Sequence, residues 1–210
     1  MTDRTLVWDL GGVVVRWEPP ALVSHAIGHL APDAGSAQAL AHRLFEDFGP
    51  DGDWSQFDRG TLDVPGLVAR MAARTGLAAA DVRAVVDATP AHLTARPKTV
   101  ALIQQLRGAG HRCVYLSNMP APIADALDAA GDLATWFDGG VYSCRVGRVK
   151  PEPEIFKAAQ RLLGLEASRT TLVDDRPANV EAARRAGWDA VLFTGAANVA
   201  AALDAAGWAR

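Results

Sequence analysis

Short apolar runs that stop abruptly at carboxylates or small polar residues recur along this chain. The first, Arg4-Thr5-Leu6-Val7-Trp8-Asp9, is followed by Gly11 and Gly12 and then by the β-branched run Val13-Val14-Val15. That order predicts a buried strand leading into a tight, glycine-bearing turn. From residue 97 the pattern alternates regularly. A helix over 97–108, with a proline at its start and Gly110 after its end, precedes a strand from Cys113 to Leu116 that runs into Ser117-Asn118. A helix near 120–130, a strand near 141–144 and a helix from Pro153 to Leu163 follow. The strand Thr170–Val173 then ends at Asp174-Asp175, and helix 177–186, strand 189–193 and helix 196–206 close the chain. Such alternation predicts an α/β fold: a three-layer core with a mainly parallel sheet covered by helices on both faces.

Residues 19–92 have a different texture. Helical patterns around 20–30, 36–47, 63–75 and 79–88 are broken by Pro, Gly and Asp clusters, of which Pro50-Asp51-Gly52-Asp53 is the strongest break. No strand stands out. The expectation is a core made of 1–16 and 93–210, with a helical insertion at 17–92.

Composition narrows the function classes. Half of the 210 residues are hydrophobic and 21% are charged, which fits a globular protein and argues against disorder. A net charge of −3 supplies no basic field, so neither nucleic acid nor an anionic membrane is expected as a partner. No apolar run approaches the ~20 residues of a membrane span, and the N-terminus lacks the layout of a signal peptide. Two cysteines make no disulfide framework, so a reducing, cytoplasmic setting is expected. The sequence carries no signature of an oligomeric state. Lysine occurs only at Lys98, Lys150 and Lys157, which draws notice to Lys150 beside Pro151.

In open parallel sheets, ligands bind outside the carboxyl ends of the strands. Three apolar runs end there in polar groups: Asp9, Ser117-Asn118 and Asp174-Asp175. Asp9 reads either as a cap of the following turn or as a nucleophile. In the second case the backbone N–H groups of Leu10 and Gly11 cradle a phosphoryl group. Ser117 and Asn118 form a good loop or N-cap sequence, and beside a nucleophile they can donate hydrogen bonds to phosphoryl oxygens. Phosphoryl transfer needs fixed positive charge near the nucleophile, which Lys150 can supply. Asp174 and Asp175, adjacent at an apolar strand end, call for a compensating cation, and Mg²⁺ prefers such oxygen ligands. Asn179, one helical turn later, can face the same site.

In that order, Val7-Trp8-Asp9-Leu10-Gly11-Gly12, Leu116-Ser117-Asn118, Val149-Lys150-Pro151-Glu152-Pro153 and Leu172-Val173-Asp174-Asp175 resemble the four motifs of the haloacid dehalogenase superfamily. The resemblance implies a Rossmann-like core with a helical cap inserted between the first two motifs. Phe57-Asp58-Arg59-Gly60 is similar to the cap of bacterial phosphatases of the glucose-1-phosphate type, and of the phosphatase domain of soluble epoxide hydrolases. Carried over, Asp9 is the nucleophile. Its carboxylate, the carbonyl of Gly11 and Asp175 hold Mg²⁺, and Asp174 acts through water. Ser117 and Lys150 bind the transferring group, and Lys150 also keeps Asp9 oriented and ionised. The substrate is then a small phosphate ester, such as a sugar phosphate, hydrolysed through an aspartyl phosphate.

One position departs from the family pattern. Most phosphatases of this kind carry a second Asp two residues after the nucleophile as general acid and base, and here that residue is Gly11. Three readings follow. The protein is a phosphatase that acts on good leaving groups or borrows an acid from the cap, with Asp53, Asp58 and His92 as candidates. It is a slow or inactive relative that binds phosphometabolites or a protein partner. Or it is a 2-haloacid dehalogenase, a branch that also lacks the second Asp but has little use for Asp174-Asp175. His25 and His29, at i and i+4, are expected on a solvated cap helix. Trp54 and Phe57 are candidates for the substrate face of the cap.

Overall fold

The structure, a computed structural model, describes residues 4–45 and 52–208. Five strands form one parallel sheet: β1 (Thr5–Trp8), β2 (Arg112–Ser117), β3 (Gly140–Tyr142), β4 (Thr170–Asp174) and β5 (Asp189–Leu192). Their spatial order is β3-β2-β1-β4-β5. The chain builds outward from β1 to β2 and β3, then returns to the other side of β1 to place β4 and β5. The switch point between β1 and β4 is where such sheets open a crevice.

Both faces of the central strands β1, β2 and β4 are covered, which is why they read as nearly unbroken apolar runs. Val7, Val114, Leu116 and Leu172 pack with Ile155 and Phe156 of one helix (Pro153–Leu163) and Ala182 and Ala183 of another (Pro177–Arg185). Leu6, Trp8, Cys113 and Tyr115 point to the opposite face, under helices Pro97–Gly108 and Ala196–Ala205. That second core continues without interruption into the helices that precede Pro97. Fully buried Leu22, Leu44, Leu67 and Val85 belong to it.

Among the described residues, five helices lie between β1 and the helix Pro97–Gly108 that leads into β2: α1 (Pro19–Ile27), α2 (Ala34–Phe45), α3 (Asp53–Arg59), α4 (Val64–Thr75) and α5 (Ala79–His92). The chain leaves and re-enters the sheet layer at one place. Arg16 N–H donates to Thr94 O (2.8 Å), Arg96 N–H donates to Val14 O (2.8 Å), and Val15 bridges Ala95 in antiparallel fashion. A segment with paired ends can be long at little extra entropic cost.

Local chemistry accounts for the boundaries. Proline opens α1, α4 and the helix at Pro97, where the missing N–H loses nothing. Asp63 caps α4 by accepting from Gly66 N–H at 2.8 Å.

Several elements differ from the sequence expectation, among them the short helix Asp132–Trp136, which no pattern announced. Helix α3 is seven residues long and lies beside the Pro/Gly/Asp break, too short for a helical period to show. The strand expected near 141–144 ends at Tyr142, and Ser143–Val146 form a helical turn. Helix α5 continues through Pro90 to His92, since a proline near the last turn removes few hydrogen bonds. Pro50 and Asp51 of the expected break, and Glu46 and Asp47 at the end of the expected helix 36–47, lie outside the described residues.

Candidate active site

The parallel register brings the polar strand ends together. Trp8 pairs with Tyr115 on one side and Val173 on the other, so Asp9 emerges between the ends of β2 and β4. Asp9 N–H donates to Val173 O at 2.9 Å, which holds its backbone to β4. The turn that follows is closed by Leu10 O, which accepts from the N–H groups of Val14 (2.8 Å) and Val15 (2.9 Å). Gly12 takes φ +78° in this turn.

Asp9 is buried, and two donors converge on one of its oxygens. Oδ1 accepts from Leu10 N–H at 2.7 Å and lies 2.9 Å from Lys150 Nζ. Among the described residues no donor is recorded at Oδ2. Burial pushes the Asp9 carboxyl up to about 7, with the charges of Asp174 and Asp175 adding to the effect and Lys150 opposing it.

Lys150, whose side chain is 1% exposed, also donates to Asp174 Oδ2 at 2.7 Å. Burial by itself would lower its pKa, but Asp174 and Asp9 outweigh burial and hold the ammonium above its ordinary value. Its backbone is clamped by Asn118, whose Nδ2 donates to Lys150 O (2.9 Å) and whose Oδ1 accepts from Lys150 N–H (2.8 Å). Asn118 thus positions the lysine, with one amide hydrogen committed to that task. Ser117 and Leu10 are buried and do not line the cavity. The Ser117 hydroxyl lies 3.5 Å from Asn118 O, a long contact.

Asp174 is fully buried and saturated with donors: Lys150 Nζ, Asn179 Nδ2 (2.9 and 3.1 Å to its two oxygens) and Arg176 N–H (2.9 Å). Asp175 turns the other way, and its Oδ2 fills the space where a Cβ on Gly12 would stand. One carboxylate oxygen from each of Asp9, Asp174 and Asp175 lies within 4.8 Å of the others. Three carboxylates against one ammonium leave excess negative charge, and the donors are all hard oxygens, so the set suits a hard divalent cation. Asp9 and Asp175 have carboxylate oxygens to offer it, whereas those of Asp174 are already engaged.

Above these residues lies a cavity of about 340 Å³. Asp9, Gly11, Lys150, Asp175, Arg176 and Asn179 form its polar end. Trp17, Trp54, Leu93, Met119 and Ile123 form an apolar wall. Trp17 and Trp54 are stacked there at 5.8 Å between centroids. Trp54, a candidate from its place in the sequence, lines the cavity. Trp17, Thr89, Leu93 and Met119 carry no such local signal, because only the packing of distant segments over the strand ends brings them in. Phe57 lies outside this cavity and packs edge-on against Trp54 at 5.6 Å.

The three candidate acids separate clearly. Asp53 sits 3.0 Å from Arg74 Nε, and His92 Nε2 bonds Glu18 N–H at 3.2 Å; neither lines the cavity. Asp58 does line it and is buried. Burial, reinforced by the charge of Asp9 and opposed by Arg176 and Lys150, holds its carboxyl well above the ordinary range.

Comparison with known proteins agrees with this geometry. Residues 4–187 match the model of the family described as haloacid dehalogenase-like hydrolase. The chain is 25% identical over 186 residues to sesquiterpene phosphatase astK of Aspergillus oryzae, covering 89% of this chain and 87% of that protein. It is 32% identical over 171 residues to a plasmid-encoded phosphoglycolate phosphatase of Cupriavidus necator, covering 75% and 71%. Its fold matches that of a haloacid-dehalogenase-family enzyme of Bacteroides thetaiotaomicron, crystallised with magnesium and inorganic phosphate. The TM-score is 0.68, with 21% identity and coverage of 90% and 93%. With four motifs assembled at one end of a parallel sheet and a family match spanning most of its length, the chain belongs to the haloacid dehalogenase-like hydrolases.

Proposed function

We propose that the protein is a Mg²⁺-dependent phosphomonoesterase that works through an aspartyl phosphate on Asp9. The observation that carries this reading is the convergence of Asp9, Lys150 and the Asp174-Asp175 pair on one cavity end. Asp9 Oδ1 is held by Leu10 N–H and Lys150, so the carboxylate is oriented and Oδ2 attacks phosphorus. Lys150 offsets charge on the attacked group, with the second amide hydrogen of Asn118 and the backbone N–H of Gly11 as further donors, while Leu10 N–H stays committed to Asp9 and the buried Ser117 hydroxyl backs the loop of Asn118. Mg²⁺, held by Asp9, the Gly11 carbonyl and Asp175, with Asp174 through water, would neutralise charge on the phosphoryl oxygens. Water then hydrolyses the acyl phosphate and frees Asp9. Residues 17–92 act as the cap over a core of 1–16 and 93–210, excluding bulk water and selecting the leaving group.

The cavity supports a small phosphate ester whose leaving group is apolar or aromatic. Trp17, Trp54, Leu93 and Ile123 offer dispersion and desolvation and few hydrogen bonds for sugar hydroxyls. The similarity to a sesquiterpene phosphatase points the same way. A dehalogenase is disfavoured, since Asp174 and Asp175 beside Asp9 repel a haloacid anion.

The test is phosphate release with Mg²⁺ from naphthyl phosphate, p-nitrophenyl phosphate, glucose 1-phosphate and glucose 6-phosphate, with Asp9→Asn and a chelator as controls. Release that disappears in both controls and is fastest from the aryl esters supports the reading. Faster turnover of glucose 1-phosphate returns the substrate class to sugar phosphates. No Asp9-dependent release moves the protein to a binding or regulatory role.

A further inference from the structure

Position 11 holds no acid, yet a carboxyl group with no evident structural purpose stands in the same cavity. Asp58 lies in helix α3, is 8% exposed, and its Oδ1 is buried with no hydrogen-bond partner among the described residues. Its carboxyl shares the cavity with Asp9 and Lys150. Leaving a buried carboxyl oxygen unpaired is unfavourable, so something else must hold it there. Three contacts do so, and all attach α3 to the loops of the core. The Ser143 hydroxyl donates to Asp58 O at 2.5 Å. Arg59 makes a two-pronged ion pair with Glu152, two residues beyond Lys150, with Nη1 at 2.9 Å from Oε2. Gly60, at φ +80°, lets the helix end lie against Cys144, whose carbonyl oxygen would be 3.1 Å from a Cβ there. The segment Phe57-Asp58-Arg59-Gly60 is therefore an anchor that presents one carboxyl group to the nucleophile's cavity.

We propose that Asp58 is the general acid and base of the reaction, the role that Gly11 cannot fill. The proposal rests on the phosphatase reading above. In the first step Asp9 Oδ2 bonds to phosphorus, the ester P–O bond breaks, and the proton of the Asp58 carboxyl passes to the departing oxygen. In the second, Asp58 carboxylate takes a proton from water as that water bonds to phosphorus and the bond to Asp9 breaks, releasing inorganic phosphate. Asp58 then carries its proton again. Burial favours its neutral form, as the first step requires.

The experiment compares the holoenzyme with Asp58→Asn on phosphate esters of graded leaving groups: p-nitrophenyl, phenyl and benzyl. Values of kcat/KM report transfer to Asp9 alone. They are expected to fall about 10²–10⁴-fold for benzyl phosphate and far less for p-nitrophenyl phosphate, whose leaving group needs no proton. With the slower second step, Asp58→Asn should show a burst of p-nitrophenol before steady state. Gly11→Asp in the Asp58→Asn background should restore benzyl phosphate turnover, since a Cβ at Gly11 meets only Trp17, at 3.8 Å. Asp58→Asn should unfold at an unchanged or higher temperature, because the unpaired acid is gone. Equal losses on all three esters, or none, would overturn the proposal, and Asp58→Ser read the same way covers a variant that does not fold. If Asp9→Asn releases phosphate as fast as the parent, the phosphatase reading fails instead.

Discussion

The Oδ2 atom of Asp175 occupies the space that a Cβ on Gly12 would need. Gly12 also has φ +78°, so two independent constraints exclude a side chain there. A left-handed non-glycine residue costs roughly 1–2 kcal/mol, and Asp175 would have to move as well. Gly12→Ala should lower the unfolding temperature and reduce turnover about 10²-fold, as expected for a group displaced by about an ångström. A Mg²⁺ titration of activity should show a raised half-saturation point. Gly11→Ala, whose Cβ makes only ordinary contacts with Trp17, should leave stability unchanged within about 1 kcal/mol.

Lys150 is the single ammonium between Asp9 and Asp174. Removing one partner of a buried ion pair leaves charge uncompensated and costs about 3–5 kcal/mol. Lys150→Ala should therefore lose stability of that order in urea unfolding, and lose activity. Added Mg²⁺ should recover part of the stability, because it also neutralises the carboxylates.

Asn118 acts on the backbone of Lys150 through two hydrogen bonds. Asn118→Ala should cost about 1–3 kcal/mol and reduce kcat more than it raises KM, since the lysine loses its fixed position. A KM effect alone would count against the positioning role.

Metal-free protein should respond to pH in a defined direction. The folded Asp9 carboxyl, at about 7, lies above its ordinary 3.8, so the folded state keeps a proton that the unfolded chain releases. Its contribution is complete below about pH 4 and is lost as pH rises toward 7. Asp175 is shifted the same way, by desolvation and the charge of Asp174. Unfolding temperatures in a chelator should decline between pH 5 and pH 7.5. Saturating Mg²⁺, which favours the ionised carboxylates, should flatten that decline.

Arg59 and Glu152 tie α3 to the loop of Lys150. The pair is only partly shielded from water, so Glu152→Gln should cost about 1 kcal/mol or less. Its larger effect should be on KM, because the wall of the cavity that Trp54 supplies is carried on the same helix. Unchanged KM would show that the tether does not govern substrate binding.

Much of this was written in local pattern. The strand over Thr5–Trp8, the helix Pro153–Leu163 and the strand ending at Asp174 follow from apolar runs, opening prolines and terminal carboxylates. These signals act over a few residues and survive in any packing. Asp9, Lys150, Asp174 and Asp175 are recognisable for the same reason, because each sits at a strand end or in a constrained loop whose position the alternation of elements already implies.

Local pattern alone was enough for the alternating α/β core, the helical stretch after the first strand, and the polar residues that end the central strands. Tertiary structure decided which of Asp53, Asp58 and His92 shares a cavity with Asp9, and that Asn118 clamps Lys150. It also decided that Trp17, Leu93 and Met119 form a wall no periodicity announces. These outcomes depend on how helices separated by tens of residues dock across the strand ends, through contacts such as Ser143 with Asp58 and Arg59 with Glu152. A local pattern sets what each segment becomes, but which side chains face one another is settled only when every segment is packed at once.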